Sequence, residues 1–190
     1  NTTGADNTAV GKGALASNTT ASNNVAVGQS ALDTNTTGSS NTAVGVNALD
    51  DNTTGASLVA IGTNALANNT TANSNVAVGY QAAFTNTTGT KNIAIGENAF
   101  FANTTGGECV AIGHLALDAN TTGNYNMAMG SGALGANTTA DGNIAIGQAA
   151  LNVNTGAYNV AIGIDALAAN TTAGSNVGIG RNVLVANTTG

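Results

Sequence analysis

Apolar and polar side chains follow each other in a fixed order along the whole chain. The motif Asn-x-Ala-(Val/Ile)-Gly first occupies residues 7–11 and then returns every 17 residues, with one interval of 16 between Gly147 and Gly163. Eleven copies that keep their spacing indicate a repeat protein rather than an ordinary globule. The motif glycines are Gly11, Gly28, Gly45, Gly62, Gly79, Gly96, Gly113, Gly130, Gly147, Gly163 and Gly180.

The repeating unit is Asn-x-Ala-(Val/Ile)-Gly-x-x-Ala-Leu-x-x-Asn-Thr-Thr-(Gly/Ala)-x-x, and its residues are numbered 1 to 17 below. Alternating β-branched residues at positions 2 to 4 predict a short strand, whereas the glycines disfavour a helix. We therefore predict an all-β β-solenoid or β-roll of eleven coils, forming one continuous array over residues 1–190. The units start at Asn7, Asn24, Asn41, Leu58, Asn75, Asn92, Cys109, Asn126, Asn143, Asn159 and Asn176.

Three apolar columns are predicted to fill the core. These are the Val/Ile residues at positions 2 and 4 and the Leu at position 9, for example Ile93, Ile95 and Leu117. Persistent Ala at position 3, on the opposite strand face, predicts a second buried side that contacts a neighbouring chain. On this interpretation, Glu at Ala77, Ala94 and Ala111 would disrupt a trimer and leave a monomer folded.

The remaining columns predict corners, loops and surface. The motif Gly never varies, which is typical of a backbone with positive φ or of a contact that excludes Cβ. The 16-residue unit has lost one Thr at Asn154-Thr155-Gly156 yet resumes at Asn159, so this segment is predicted to be a loop with slack. All charged residues fall in variable columns, which predicts that those columns face solvent.

Composition narrows the class of protein. Charged residues make up 6% of the chain, the net charge is −6, and Pro and Trp are absent. Lys12, Lys91 and Arg181 are too few for a basic stripe, which excludes nucleic acid as a predicted partner. The single Cys109 excludes an intrachain disulfide framework. No apolar run approaches the ~18 residues of a membrane span, so no membrane insertion is expected in this segment.

The repeated motif resembles the head repeats of trimeric autotransporter adhesins, the YadA-like family, in which a strand ending in Val-Ala-Ile-Gly recurs once per turn of a β-roll. The longer string Asn-Thr-Thr-Gly-x-x-Asn-x-Ala-Ile-Gly-x-x-Ala-Leu also looks like repeat regions of phage tail fibres and related surface fibres. The resemblance covers essentially the whole chain, although the adhesin-head repeat is shorter and lacks Asn-Thr-Thr. It implies a parallel homotrimer, intertwined or side by side, on a cell surface or virion.

The Asn-Thr-Thr segments have two interpretations. Each Asn begins a glycosylation acceptor, or the asparagines stack as a ladder in which side-chain amides bond coil to coil; we favour the ladder. The acceptor asparagines are Asn1, Asn18, Asn35, Asn52, Asn69, Asn86, Asn103, Asn120, Asn137, Asn170 and Asn187. A column of Thr is also a feature of ice-binding solenoids. Because the side chains of adjacent strand residues point to opposite faces, we expect only one outward Thr per coil.

Other candidate chemistry is sparse. His114 and Cys109 share a unit without further ligands, and we predict no catalytic, cofactor-binding or metal-binding residues. A stripe of exposed aromatic residues is a weaker possibility for adhesion. It would comprise Tyr80, Phe84, Phe101, Tyr125 and Tyr158.

The leading functional hypothesis is a non-catalytic structural module of an extracellular fibre, adhesin or phage tail fibre, acting as a rigid stalk or adhesive surface. Its predicted partners are further copies of itself, as a homotrimer or stacked end to end, and a host or cell-surface glycan. The alternatives are a self-stacking filament subunit and a monomeric solenoid that binds ice or glycans through a flat Thr/Asn face. Because the sequence begins and ends within a unit, we expect it to be a segment of a longer fibre.

Overall fold

The computed structural model describes residues 1–188, and each repeat forms one coil of a parallel β-solenoid. Each coil carries one strand of three residues, the apolar-Ala-apolar centre of the motif, and bends or turns elsewhere. The strands are β1 Thr8–Val10, β2 Val25–Val27, β3 Thr42–Val44, β4 Val59–Ile61, β5 Val76–Val78, β6 Ile93–Ile95, β7 Val110–Ile112, β8 Met127–Met129, β9 Ile144–Ile146, β10 Val160–Ile162 and β11 Val177–Ile179.

The strands form one sheet in which chain order is also spatial order. All neighbouring pairs are parallel, and each residue pairs with its equivalent one coil later, as Ala94 does with Ala111. The register holds across the shortened unit, where Ile144 pairs with Val160. The predicted all-β solenoid, its single continuous strand column and the slack of the Asn154 segment are therefore confirmed.

The prediction of which strand face is buried in the core is wrong. The central Ala of β2 to β10 is buried in the coil interior, whereas its apolar neighbours point outward; Ala94 is 0% exposed, and Ile93 and Ile95 are each 38% exposed. The interior holds Ala at positions 3 and 8 and Leu at position 9. Ala77, Ala94 and Ala111 thus belong to the core of one chain, and Glu there would break the solenoid itself.

The size of the interior explains the reversal. At Gly178, a Cβ would lie 3.1 Å from Leu167 Cγ and 3.1 Å from Val183 Cγ1, so position 3 faces the Leu column at close range. A branched side chain in that position would overlap the Leu, which leaves room only for Ala or Gly. The larger Val and Ile residues consequently take the outer side of the strand.

Left-handed backbone shapes the rest of each coil. The motif glycines have φ between 131° and 141°. A Cβ on Gly45 would lie 2.5 Å from the carbonyl oxygen of Gly62, in the next coil. Both observations agree with the prediction that this position admits no side chain. The Leu column also has positive φ, with Leu32 and Leu49 at 53° and 55°. Leu rarely adopts this conformation, so burial of the side chain must offset a backbone cost of about 1 kcal/mol or more per coil.

The shortened unit breaks bonds that the other coils share. In an intact pair of coils, the N–H and the hydroxyl of Thr121 donate to the carbonyl of Thr138, at 2.7 and 3.0 Å. At the shortened unit, no bond within the described part of the chain runs from Thr138 to the next coil. The Asn154 amide donates to the carbonyl of Gly156, two residues away, but not to Asn137 Oδ1 of the preceding coil. Asn137 Oδ1 is then buried without a partner among the described residues.

Insertion of a Thr between Thr155 and Gly156 should therefore stabilise the protein. It restores the 17-residue unit and supplies donors for Asn137 Oδ1, which is expected to raise the free energy of unfolding by about 1–3 kcal/mol. The measurement is chemical denaturation followed by circular dichroism. A Thr inserted between Thr104 and Thr105, in an intact unit, is the matched control and should destabilise; equal effects of both insertions would contradict this account of the defect.

Candidate functional site

The outer columns of the strands form a continuous apolar surface, here called the Val/Ile face. It comprises positions 2 and 4 of all eleven units, of which nine and eleven residues respectively are Val, Ile or Met, and only Thr8 and Thr42 are polar. Its side chains are half-buried or exposed throughout. At roughly 4.8 Å per strand the face is about 50 Å long. An uninterrupted apolar ribbon of this size is typical of an interaction surface.

The Asn-Thr-Thr asparagines form the predicted ladder. Asn103 Nδ2 donates to Asn86 Oδ1 of the preceding coil at 2.7 Å and to the carbonyl of Gly106 in its own coil at 3.0 Å. The same pair of bonds recurs at Asn52, Asn69 and Asn120. These side chains are fully buried, so their amides are committed to the fold and are out of reach of a glycosylating enzyme.

The motif asparagines form a second ladder of different geometry. Asn24 Oδ1 accepts the backbone N–H of Asn41 at 2.9 Å, and Asn24 Nδ2 donates to the carbonyl of Gly38 at 3.0 Å. Leu58 and Cys109 replace Asn in this column. Because Leu58 offers no acceptor, one rung of this ladder is missing after it.

At Cys109, a thiol takes the place of the Asn amide in this second ladder. Its N–H donates to Asn92 Oδ1 at 2.9 Å, its Sγ accepts the N–H of Asn126 at 3.4 Å, and its S–H donates to the carbonyl of Gly123 at 3.4 Å. Burial raises the pKa of the thiol to about 11. Cys109 is therefore a structural substitute for Asn, and its neutral thiol is a poor nucleophile.

The two Thr columns divide as predicted, with one outward residue per coil. In most coils the side chain of the first Thr points toward the next coil and bonds to its backbone; for example, the hydroxyl of Thr104 donates to the carbonyl of Thr121 at 3.0 Å. This first Thr is half-buried in most coils and exposed in others, such as those of Thr19 and Thr138. Within residues 1–188 the second Thr is exposed in every intact unit, for example at Thr88, Thr105 and Thr122. The unit at Thr155 lacks it, so this rank has a gap.

The charged side chains stay out of the core. Lys91 and Glu108, in successive coils, form an exposed ion pair at 3.2 Å. His114 is exposed and Cys109 buried. Within residues 1–188, no group of three or more His, Cys, Asp or Glu side chains is placed to hold a metal ion, and no helix has the length and hydropathy for a membrane span.

Two aspartates have perturbed pKa values. Burial raises the pKa of Asp50, and the nearby carboxylates of Asp51 and Asp33 raise it further. Burial also raises the pKa of Asp118, against backbone N–H groups and His114, which lower it. For both, the folded state favours the protonated acid, so their contribution to stability declines as pH rises above the ordinary range of a carboxyl group.

The predicted aromatic stripe is only partly present. Tyr80, Tyr125 and Tyr158 are exposed, but Tyr80 lies in a different column from the other two. Phe84 and Phe101 are half-buried and stack on one another, with ring centroids 5.5 Å apart and planes 9° apart. The sequence places both at position 10 of successive units, and in a solenoid this 17-residue spacing is the signal that predicts the stack.

Comparisons of the chain with protein-family models, with curated proteins and with solved structures find no match.

Cys109 should resist thiol reagents until the protein unfolds. Because its folded pKa is about 11 against an ordinary 9.0, the reactive thiolate is scarce at pH 8 and the residue is buried as well. Ellman's reagent is expected to label the native protein at least tenfold more slowly than the protein in guanidinium chloride. Rapid stoichiometric labelling of the native protein would show that the thiol is outside the ladder.

Proposed function

We propose that the chain is a non-catalytic structural module of a fibre, and that it self-associates through the Val/Ile face to make a rigid stalk. The observation that carries the proposal is the apolar ribbon along one side of the rod, whereas the large apolar side chains exposed elsewhere are scattered over several columns. A lone solenoid of this kind leaves about twenty apolar side chains half in water, which is unusual for a monomer.

Magnitudes favour association. Complete burial of a Val or Ile stabilises by roughly 1.5–3 kcal/mol, so a side chain that is 38% exposed, as Ile93 and Ile95 are, contributes about 0.5–1 kcal/mol when a partner covers it. Summed over about twenty side chains this is roughly 10–20 kcal/mol, against the about 4–15 kcal/mol that association costs in lost freedom. Copies packed side by side in parallel cover one another's Val/Ile face without disturbing the coil-to-coil bonds.

The proposed assembly is a parallel homotrimer, the arrangement implied by the resemblance to adhesin-head and tail-fibre repeats. The contact that we now propose for it is the Val/Ile face rather than the Ala column. The proposed setting is extracellular, on a cell surface or in a virion fibre, where a stiff rod would hold a binding element away from its anchor.

Sedimentation equilibrium tests the assembly. The protein is expected to sediment at three times 18.2 kDa, and the double variant I95E/I112E at the monomer mass, because two charges would be buried in the interface. Thr105→Glu, on the exposed Thr column of the same repeat unit as Ile95, is the matched control and should remain assembled. A wild-type monomer at micromolar concentration would refute self-association, and a stable dimer would refute the three-fold arrangement.

A further inference from the structure

A groove on the outside of coils five to seven interrupts the uniform surface of the rod. It is a cavity of about 170 Å³, lined by Gln81, Asn98, Phe101, Leu115 and Asp118. These residues occupy positions 7 and 10 of three successive units. In the next unit the same positions hold Gly132 and Gly135, so the groove depends on the larger side chains of these three units.

The groove has a rigid apolar wall. Phe101 lines the cavity, and the parallel ring of Phe84 in the preceding coil holds it in place. Leu115 adds an aliphatic surface beside it. All three Phe residues of the chain lie between residues 84 and 101; Phe100 is buried in the core, so the aromatic surface here comes from Phe84 and Phe101.

The groove also has an unused hydrogen-bond acceptor. Asn98 Oδ1 is buried and has no partner among residues 1–188. In the same column, Asn64 Oδ1 accepts a bond from Asn47 of the preceding coil at 3.2 Å, but Gln81 gives no such bond to Asn98. A buried acceptor without a donor is costly. Asn98 itself is only half-buried and lines the groove, so rotation about its terminal side-chain torsion would present Oδ1 to a ligand hydroxyl.

The lining selects one class of ligand. Asp118 disfavours an anion, and a hard cation would need several oxygen ligands where this groove offers one carboxylate. A purely apolar ligand would leave Asn98 Oδ1 without a hydrogen-bond donor. A neutral sugar has an apolar C–H face for Phe101 and hydroxyls that both donate and accept, which suits Asn98, Gln81 and Asp118. The cavity is smaller than the ~300 Å³ lower bound of drug-sized pockets, which fits one ring.

We propose that this groove is a carbohydrate-binding subsite that holds one neutral pyranose ring, with its C–H face on Phe101 and a hydroxyl donated to Asn98 Oδ1. The groove lies in different columns from the Val/Ile face, and it is complete within a single chain. The proposal therefore does not depend on the proposed trimer, and failure of one leaves the other standing.

Saturation-transfer NMR with the methyl pyranosides of glucose, galactose, mannose and N-acetylglucosamine tests the subsite. At least one sugar is expected to bind with a Kd of about 1 mM, the range of a small contact, and to shift the side-chain amide of Asn98 in labelled protein. Phe101→Ala and Asn98→Ala should each weaken binding at least tenfold. Asn182→Ala, in the same left-handed column but outside the groove, and Tyr158→Ala, a surface aromatic, are the matched controls and should bind as the wild type does.

Two further arms decide between the sugar and other ligands. Cyclohexanol, a ring of similar size with one hydroxyl, should bind at least tenfold more weakly than the best sugar; equal binding would mean an apolar pocket and overturn the proposal. Binding of none of the four sugars, or shifts that map outside coils five to seven, would also overturn it. Circular dichroism of each variant confirms that a loss of binding is not a loss of fold.

Discussion

Most buried Asn amides in this rod bond to their own equivalents one coil away, and the rest of the architecture depends on that constraint. Asn86, Asn103 and Asn120 each donate to the same atom of the preceding coil and accept from the following one. An Asn without such a neighbour would leave buried polar atoms without hydrogen-bond partners, which would lower the free energy of unfolding by about 1–3 kcal/mol. Neighbouring coils must therefore keep the same length and register, and the bonds between them are long-range in sequence although local in space.

Repetition made much of this predictable. The 17-residue spacing was sufficient to predict a solenoid, the strand position and the Asn ladder, because stacked coils bring identical residues together. The alternation of Thr, with one residue of each pair outward, followed from the same geometry. The slack at Asn154 was also predictable, since the motif resumed its register immediately afterwards.

The side of the strand that faces the core was not predictable from hydrophobicity alone. Ile93, Ala94 and Ile95 are all apolar, so hydrophobicity permits either face to be buried and favours the larger residues as the core. The choice depends on the width of the coil, which the Leu on the opposite segment sets through its left-handed backbone and its contact with position 3. The groove is not predictable for another reason: its residues occupy variable columns, where the repeat carries no information about the side chain.

Identical in-register bonding also bears on how such a rod could change in length over generations. A duplication or loss of one whole unit by recombination between repeats would leave every rung with the same kind of partner. The rod would grow or shrink by roughly 4.8 Å, one strand spacing, without a new core having to arise. A partial unit has no such freedom, as the coil at Asn154 illustrates, so the reach of this architecture can vary only in steps of one coil.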